Sequence, residues 1–168
     1  MKSSLMTASF AIIASCGLAA AQTSTSATDT TFATKAAAGG MAEVQLGQLA
    51  LKNASNADVK SFAQKMVDDH TQAGDKLKSV AAKDSLNLPS DIDAKDKATY
   101  DRLSKLHGAA FDRAYMRDMV KDHKTDVAEF QREANRGKNQ DLKQFASETL
   151  PTLQEHLKMA ESTVAKVE

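Results

Sequence analysis

Three of the four histidines in this chain stand where a polar ring is out of place. At about 100° per residue, His70 shares a helix face with Val59, Phe62, Ala63, Met66, Ala73, Leu77 and Val80. His123 sits in the same way among Met116, Met119, Val127, Phe130 and Ala134, and His156 among Leu150, Leu153, Leu157 and Ala160. Glu43 falls on a fourth apolar face, made of small residues, between the angles of Ala36 and Ala50. A polar group carried into a core needs a partner, because losing water without regaining a hydrogen bond is costly. Facing imidazoles and a carboxylate can supply each other, or they can hold a metal ion in the middle of a helical bundle. Counted at about 1.5 Å per residue from the two tight turns, Glu43, His70, His123 and His156 lie about 17–28 Å along their helices, at matching heights. Such a donor set suits zinc, iron, manganese or copper.

Two readings of these residues stay open. In one, Glu43, His70, His123 and His156 bind a single transition metal. In the other, they form a hydrogen-bonded polar core in a structural or interaction bundle, bonding to Glu43 or to carbonyls freed near Pro151. Di-iron chemistry is disfavoured, since Val67, Ser104, Val120 and Leu153 stand three residues before the histidines and no Glu-x-x-His motif exists. Met66, Met119 and Met159 each lie within one helical turn of a histidine, which would suit copper(I); methionine is also a routine core filler at that spacing. His107, beside Gly108, reads as a surface or hinge residue. No Gly-rich phosphate loop, Gly-x-Ser-x-Gly elbow or His-Glu-x-x-His motif is present, so the residues specify no reaction, and a binding or structural role stands ahead of catalysis.

The elements that must position these side chains are helices. Glycine and proline are scarce, at 7 and 2, tryptophan is absent, and the apolar residues recur at helical spacing. The pattern predicts a first helix over 32–53, with Gly39-Gly40 and Gly47 admitting close helix approach. A second runs from a cap at Ser55-Asn56 to about Ser85, where Pro89 follows. Residues 94–106 form a short helix or the lead-in of the third, which continues to about Arg136 and ends in a C-cap pattern at Gly137. The fourth covers 139–167, with a kink expected at Pro151. Asp58-Val59-Lys60-Ser61-Phe62-Ala63 returns 83 residues later as Asp141-Leu142-Lys143-Gln144-Phe145-Ala146, which looks like a duplicated helical hairpin, with chance similarity between amphipathic helices as the alternative. In that register His70 maps onto Leu153, so the histidines are not a duplicated ligand set. Met66-Val67-Asp68-Asp69-His70 and Met119-Val120-Lys121-Asp122-His123 echo each other at a different offset, 53.

Residues 1–21 read as an export signal: Lys2, an apolar stretch from Leu5 to Leu18, and a small-x-small site at Ala19-Ala20-Ala21. Ile13-Ala14-Ser15-Cys16 offers the alternative of a lipid anchor at Cys16. Either way the expected location is the periplasm or cell envelope, with no transmembrane helix in the mature chain. Residues 22–31, rich in Ser and Thr, are expected to be a disordered tether before a single domain over 32–167. Lys plus Arg and Asp plus Glu number 22 each and are interspersed, so nucleic acid is not an expected partner. Cys16 is the only cysteine and is lost if cleavage follows Ala21, which leaves no disulfide and no thiolate ligand.

Several motifs together carry a family resemblance. They are Glu43-Val44-x-Leu46-Gly47-x-Leu49-Ala50 and Val59-Lys60-x-Phe62-Ala63-x-x-Met66-Val67-x-Asp69-His70, then Phe111-Asp112-x-x-Tyr115, His123 and Leu150-Pro151-x-Leu153-x-x-His156. Over about residues 32–167 the chain resembles the bacterial domain-of-unknown-function 4142 family, whose members are described as outer-membrane or periplasmic proteins. The resemblance implies an all-α, ferritin-like four-helix bundle of two antiparallel hairpins, exported to the cell envelope. It implies no activity.

Overall fold

The computed structural model describes residues 25–168; the expected signal at 1–21 and residues 22–24 of the expected tether lie outside them. The described residues form helices only: α1 (Ala27–Asn53), α2 (Ala57–Lys83), α3 (Ala94–Leu103), α4 (Gly108–Arg136) and α5 (Gln140–Val167). None is long and apolar enough to cross a membrane.

The tether expectation needs correcting. Helix begins at Ala27, because Ser26 and Asp29 close a capping box: the Ser26 hydroxyl accepts from the Asp29 amide at 3.2 Å and the Asp29 carboxylate from the Ser26 amide at 3.0 Å. The Ser/Thr-rich composition concealed a local start signal. Asn56 and Asn139 cap α2 and α5 in the same structural place, 83 residues apart. The α2 end falls at Lys83, with Ser85 in the left-handed region at φ 54° and the Leu86 amide bonded back to the Ala81 carbonyl. Gly137 ends α4 with φ −54°, so its value is not left-handed freedom. A Cβ there would lie 2.7 Å from the Glu133 carbonyl oxygen, closer than side chains tolerate. α5 runs through Pro151 without a break, and Pro151 is exposed.

Residues 54–56 join α1 to α2 and residues 137–139 join α4 to α5, so each pair must double back on itself. Across the pairs, α2 packs on α5 and α1 on α4, which makes a helical bundle with α3 laid against α1 and α4. The two hairpins lock each other at the turns. Asp112, near the start of α4, accepts from the Ser55 and Asn56 amides at 3.1 and 3.0 Å and from the Ser55 hydroxyl at 2.6 Å. Asp29, in the first turn of α1, accepts from the Lys138 and Asn139 amides at 3.0 Å each. Asp29 and Asp112 are also 83 residues apart, so the sequence echo is a reciprocal cross-capping of two hairpins.

The core is two apolar clusters separated by a polar layer. One gathers Leu46, Phe62, Met66, Leu103, Phe111, Tyr115, Met119 and Ala160; the other gathers Phe32, Leu77, Phe130, Leu142, Phe145 and Leu153. On each long helix the switch from one cluster to the other happens at a candidate site residue. Glu43 lies between Phe32 and Leu46, His70 between Met66 and Leu77, His123 between Met119 and Phe130, and His156 between Leu153 and Ala160. This order also shows that α2 and α4 run the same way, so residues 84–107, with α3, return along the length of the molecule.

Candidate metal centre

His70 from α2, His123 from α4 and His156 from α5 meet in that layer. Their ring centroids form a near-regular triangle with sides of 5.4, 5.4 and 5.8 Å, and one ring nitrogen from each lies within 4.8 Å of the other two. All three rings are buried. Nε2 of His70, Nε2 of His123 and Nδ1 of His156 are enclosed by protein with no hydrogen-bond partner. Unpartnered buried nitrogens are rare, and no protein atom satisfies these three.

The opposite edges of two rings are tied down. His123 Nδ1 donates to the Met119 carbonyl at 2.9 Å, and His156 Nε2 donates to the Asp69 carboxylate at 2.7 Å. Each bond puts the proton on the outer nitrogen and leaves a lone pair on the inner one, the arrangement by which an orienting acceptor prepares a metal-binding imidazole. Asp69 is itself held by Lys65, at 3.0 Å. Burial raises the Asp69 carboxyl, but hydrogen bonds from His156 and Lys65 outweigh it and hold it below its usual range. Burial also pushes the imidazoles down, His70 to about 3 and His123 to about 4, with help from the neighbouring rings. His156 is lowered as well, the Asp69 bond only partly offsetting burial. At neutral pH all three are therefore neutral bases, the form that binds metal.

Glu43 does not join this set. Its Oε1 stands 3.9 Å from His123 Nδ1, behind the ring and away from the triangle, and Oε2 has no partner. Fully buried beside Asp126, its carboxyl is pushed well above the usual range, first by desolvation and then by that neighbour's charge. The reason is rotational: α1 lies next to α4 and α2, and position 43 points at the back of His123. The polar-core alternative also changes form, since neither His123 nor His156 bonds to Glu43 or to a carbonyl near Pro151. His107 is exposed at the start of α4, as expected. Met66 and Met119 are buried in the cluster with Phe62 and Tyr115, and Met159 packs against it. Asp69 is the residue that sequence reasoning passed over. Its signal was the second acid of Val67-Asp68-Asp69-His70, which turns one step off the His70 face and so reaches α5.

Small residues leave room around the site. Gly47 does mark close approach, with a Cβ there 2.8 Å from Val67. Gly39, Gly40 and Gly74 do not; nothing lies within 4 Å of a Cβ at any of them. A cavity of about 140 Å³ between α2 and α5 reaches His70 and His156, and one of about 40 Å³ lined by Gly40 and Ala73 reaches His70 from the α1 side. Gly40 and Ala73 occupy the places in the first hairpin that His123 and His156 occupy in the second. One hairpin supplies two of the histidines and the other supplies one histidine and space.

A crystal structure of a DUF305 fragment from Deinococcus radiodurans is similar to this chain at a TM-score of 0.74, with 13% identity, covering 84% of this chain and 98% of that one. At that identity the likeness is one of fold. No functionally curated protein matches the chain. The family described as Domain of unknown function (DUF4142) matches residues 14–163, nearly the full length, and the protein therefore belongs to the DUF4142 family.

Proposed function

We propose that this protein is an exported, ferritin-like four-helix bundle of the cell envelope that binds one first-row transition-metal ion through His70, His123 and His156. The observation that carries the metal reading is the convergence of three buried imidazoles from three helices, each with one unpartnered ring nitrogen. The outer-edge bonds of His123 and His156 support it, because they fix the tautomer that points a lone pair inward. A tetrahedral zinc site needs nitrogens about 3.4 Å apart, up to about 1.4 Å closer than the 4.8 Å within which one nitrogen of each ring lies. All-nitrogen donors favour zinc, copper(II), cobalt or nickel over magnesium and calcium. Glu43, 3.9 Å from His123 Nδ1, stands outside the ligand set. The ferritin-like reading rests on the long return segment between two hairpins. Export rests on Lys2, the apolar stretch and Ala19-Ala20-Ala21, and the intact mass of protein from the envelope fraction reads it directly.

The test is thermal unfolding of metal-stripped protein titrated with zinc, manganese, iron(II) and copper. At 100 times the dissociation constant, a bound ion adds about 2.7 kcal/mol, and for a domain of this size that raises the melting temperature by about 5–11 °C. His123→Ala and His156→Ala should abolish the shift, and His107→Ala should leave it. A wild type that no metal stabilises sinks the proposal. Met66→Leu should leave a nitrogen-only site intact and weaken one that takes copper(I) through sulfur.

A further inference from the structure

The geometry points to an open coordination position: an ion held by the three histidines would keep a fourth, exchangeable site for water or a small anion, reached through the cavity between α2 and α5. This rests on the metal reading above. Among the described residues, the His, Cys, Asp and Glu side chains that converge on the triangle are His70, His123 and His156 alone. Glu43, the remaining candidate, approaches His123 at Nδ1, the edge that already faces the Met119 carbonyl, and so lies on the far side of the ring from Nε2. Three protein nitrogens leave a tetrahedral ion one position short, and structural sites are closed where reactive or exchanging ones are open.

Two of the three rings border the cavity between α2 and α5, the route assigned to the fourth ligand. His70 and His156 border it, together with Asp69, and His123 does not. Its volume, about 140 Å³, holds several small molecules of water's size. Thr149 and Thr152 bring hydroxyls to the wall, and Ala73 keeps the passage wide. Lys65 and Lys76 stand at the lining against Asp69, Glu148 and Glu155, so the mouth itself carries slightly more negative than positive charge. A cation meets no electrostatic barrier on entering. Once it is bound, its own charge supplies the attraction for an anion. The methionines pack in the apolar cluster and do not line the cavity, which leaves the position to a ligand from solvent.

Cobalt(II) is the probe, because its visible absorption reports coordination number and ligand exchange, and azide is the test anion. The ligand step is a simple exchange in which azide binds the metal as water leaves. In cobalt-loaded wild-type protein, azide should change the visible bands with a saturable, one-site dependence. Thr152→Phe, which fills the cavity wall without touching a ligand, should keep the cobalt bands and weaken azide binding by about tenfold or more, or slow it comparably. Ala73→Leu is a second plug should Thr152→Phe fail to fold. Absence of any protein-bound cobalt spectrum overturns the metal reading and this inference with it. A cobalt spectrum that azide leaves unchanged overturns the open position alone. Azide binding that both plugs leave unaltered overturns the α2–α5 route.

Discussion

Buried and half-buried ionisable side chains in this protein divide by whether a donor reaches them. Asp29 and Asp69 receive N–H donors, and their carboxyls are held low although burial alone would raise them. Glu133, Asp126 and Glu43 lack that support. Burial first, and neighbouring acids second, push Asp126 and Glu133 to about 7 and Glu43 well up. For Glu133 the second contributor is the charge of Asp29, and its Oε1 has no partner. The direction of its effect on stability follows from linkage. A carboxyl raised on folding favours the folded state below its unfolded value of 4.5, and that advantage is lost as the pH rises through about 7. Glu133→Gln removes the titration. The variant should gain on the wild type as the pH is raised from 4.5 to 8, read as the difference in urea midpoints at several pH values. A difference that stays flat over that range would show that Glu133 is ionised in the folded protein throughout.

At the scale of elements, the cross-caps matter most. Asp29 takes three backbone amides, from Ser26, Lys138 and Asn139, and Asp112 takes the Ser55 and Asn56 amides with the Ser55 hydroxyl. Removing a buried charged acceptor strands its donors, at about 2–4 kcal/mol. Asp29→Ala and Asp112→Ala should therefore each destabilise the fold by about that much in denaturant unfolding, although the two residues lie at opposite ends of the bundle. The wild type should also lose the Asp29 contribution as the pH falls below 3.8, because its folded value is depressed. A neutral result for either variant would show that its turn closes without help. Much at this scale was legible in the sequence. The four long helices follow from apolar periodicity, the Asn56 cap from turn chemistry, and the hairpin duplication from the 83-residue echo. Asp29 was not legible as structure. It lies in a Ser/Thr-rich stretch without apolar period, and its main partners are about 110 residues away. Gly40 was misread for a related reason: a glycine on a helix face looks the same whether a neighbour fills its space or leaves it.

At the scale of the molecule, the polar layer divides what could have been one continuous apolar core. Phe62 anchors one side and Phe145, its duplicate 83 residues later, the other. The histidines were legible individually, as rings on apolar faces, whereas their exclusion of Glu43 was not. Periodicity fixes which face a residue occupies, but not the rotation of one helix against its neighbours. The duplication now gives a direct test of what the layer is for. The place of His70 in the second hairpin is taken by Leu153, which is buried, so the fold accepts leucine there. His70 Nε2 is buried and unpartnered, and an unpaired buried polar atom costs about 1–3 kcal/mol that an apolar side chain of similar size avoids. If the layer exists to hold metal, His70→Leu should make the metal-free protein more stable than wild type by about 1–2 kcal/mol. The same substitution should erase stabilisation by zinc or cobalt. If the layer is instead a satisfied polar core, His70→Leu should destabilise the metal-free protein, and metal should make no difference to either form. Thermal unfolding of the two proteins, each with and without metal, separates these outcomes in four measurements. A stabilised variant that has lost its metal response would mark the histidine triangle as a place where the fold gives up stability for a site.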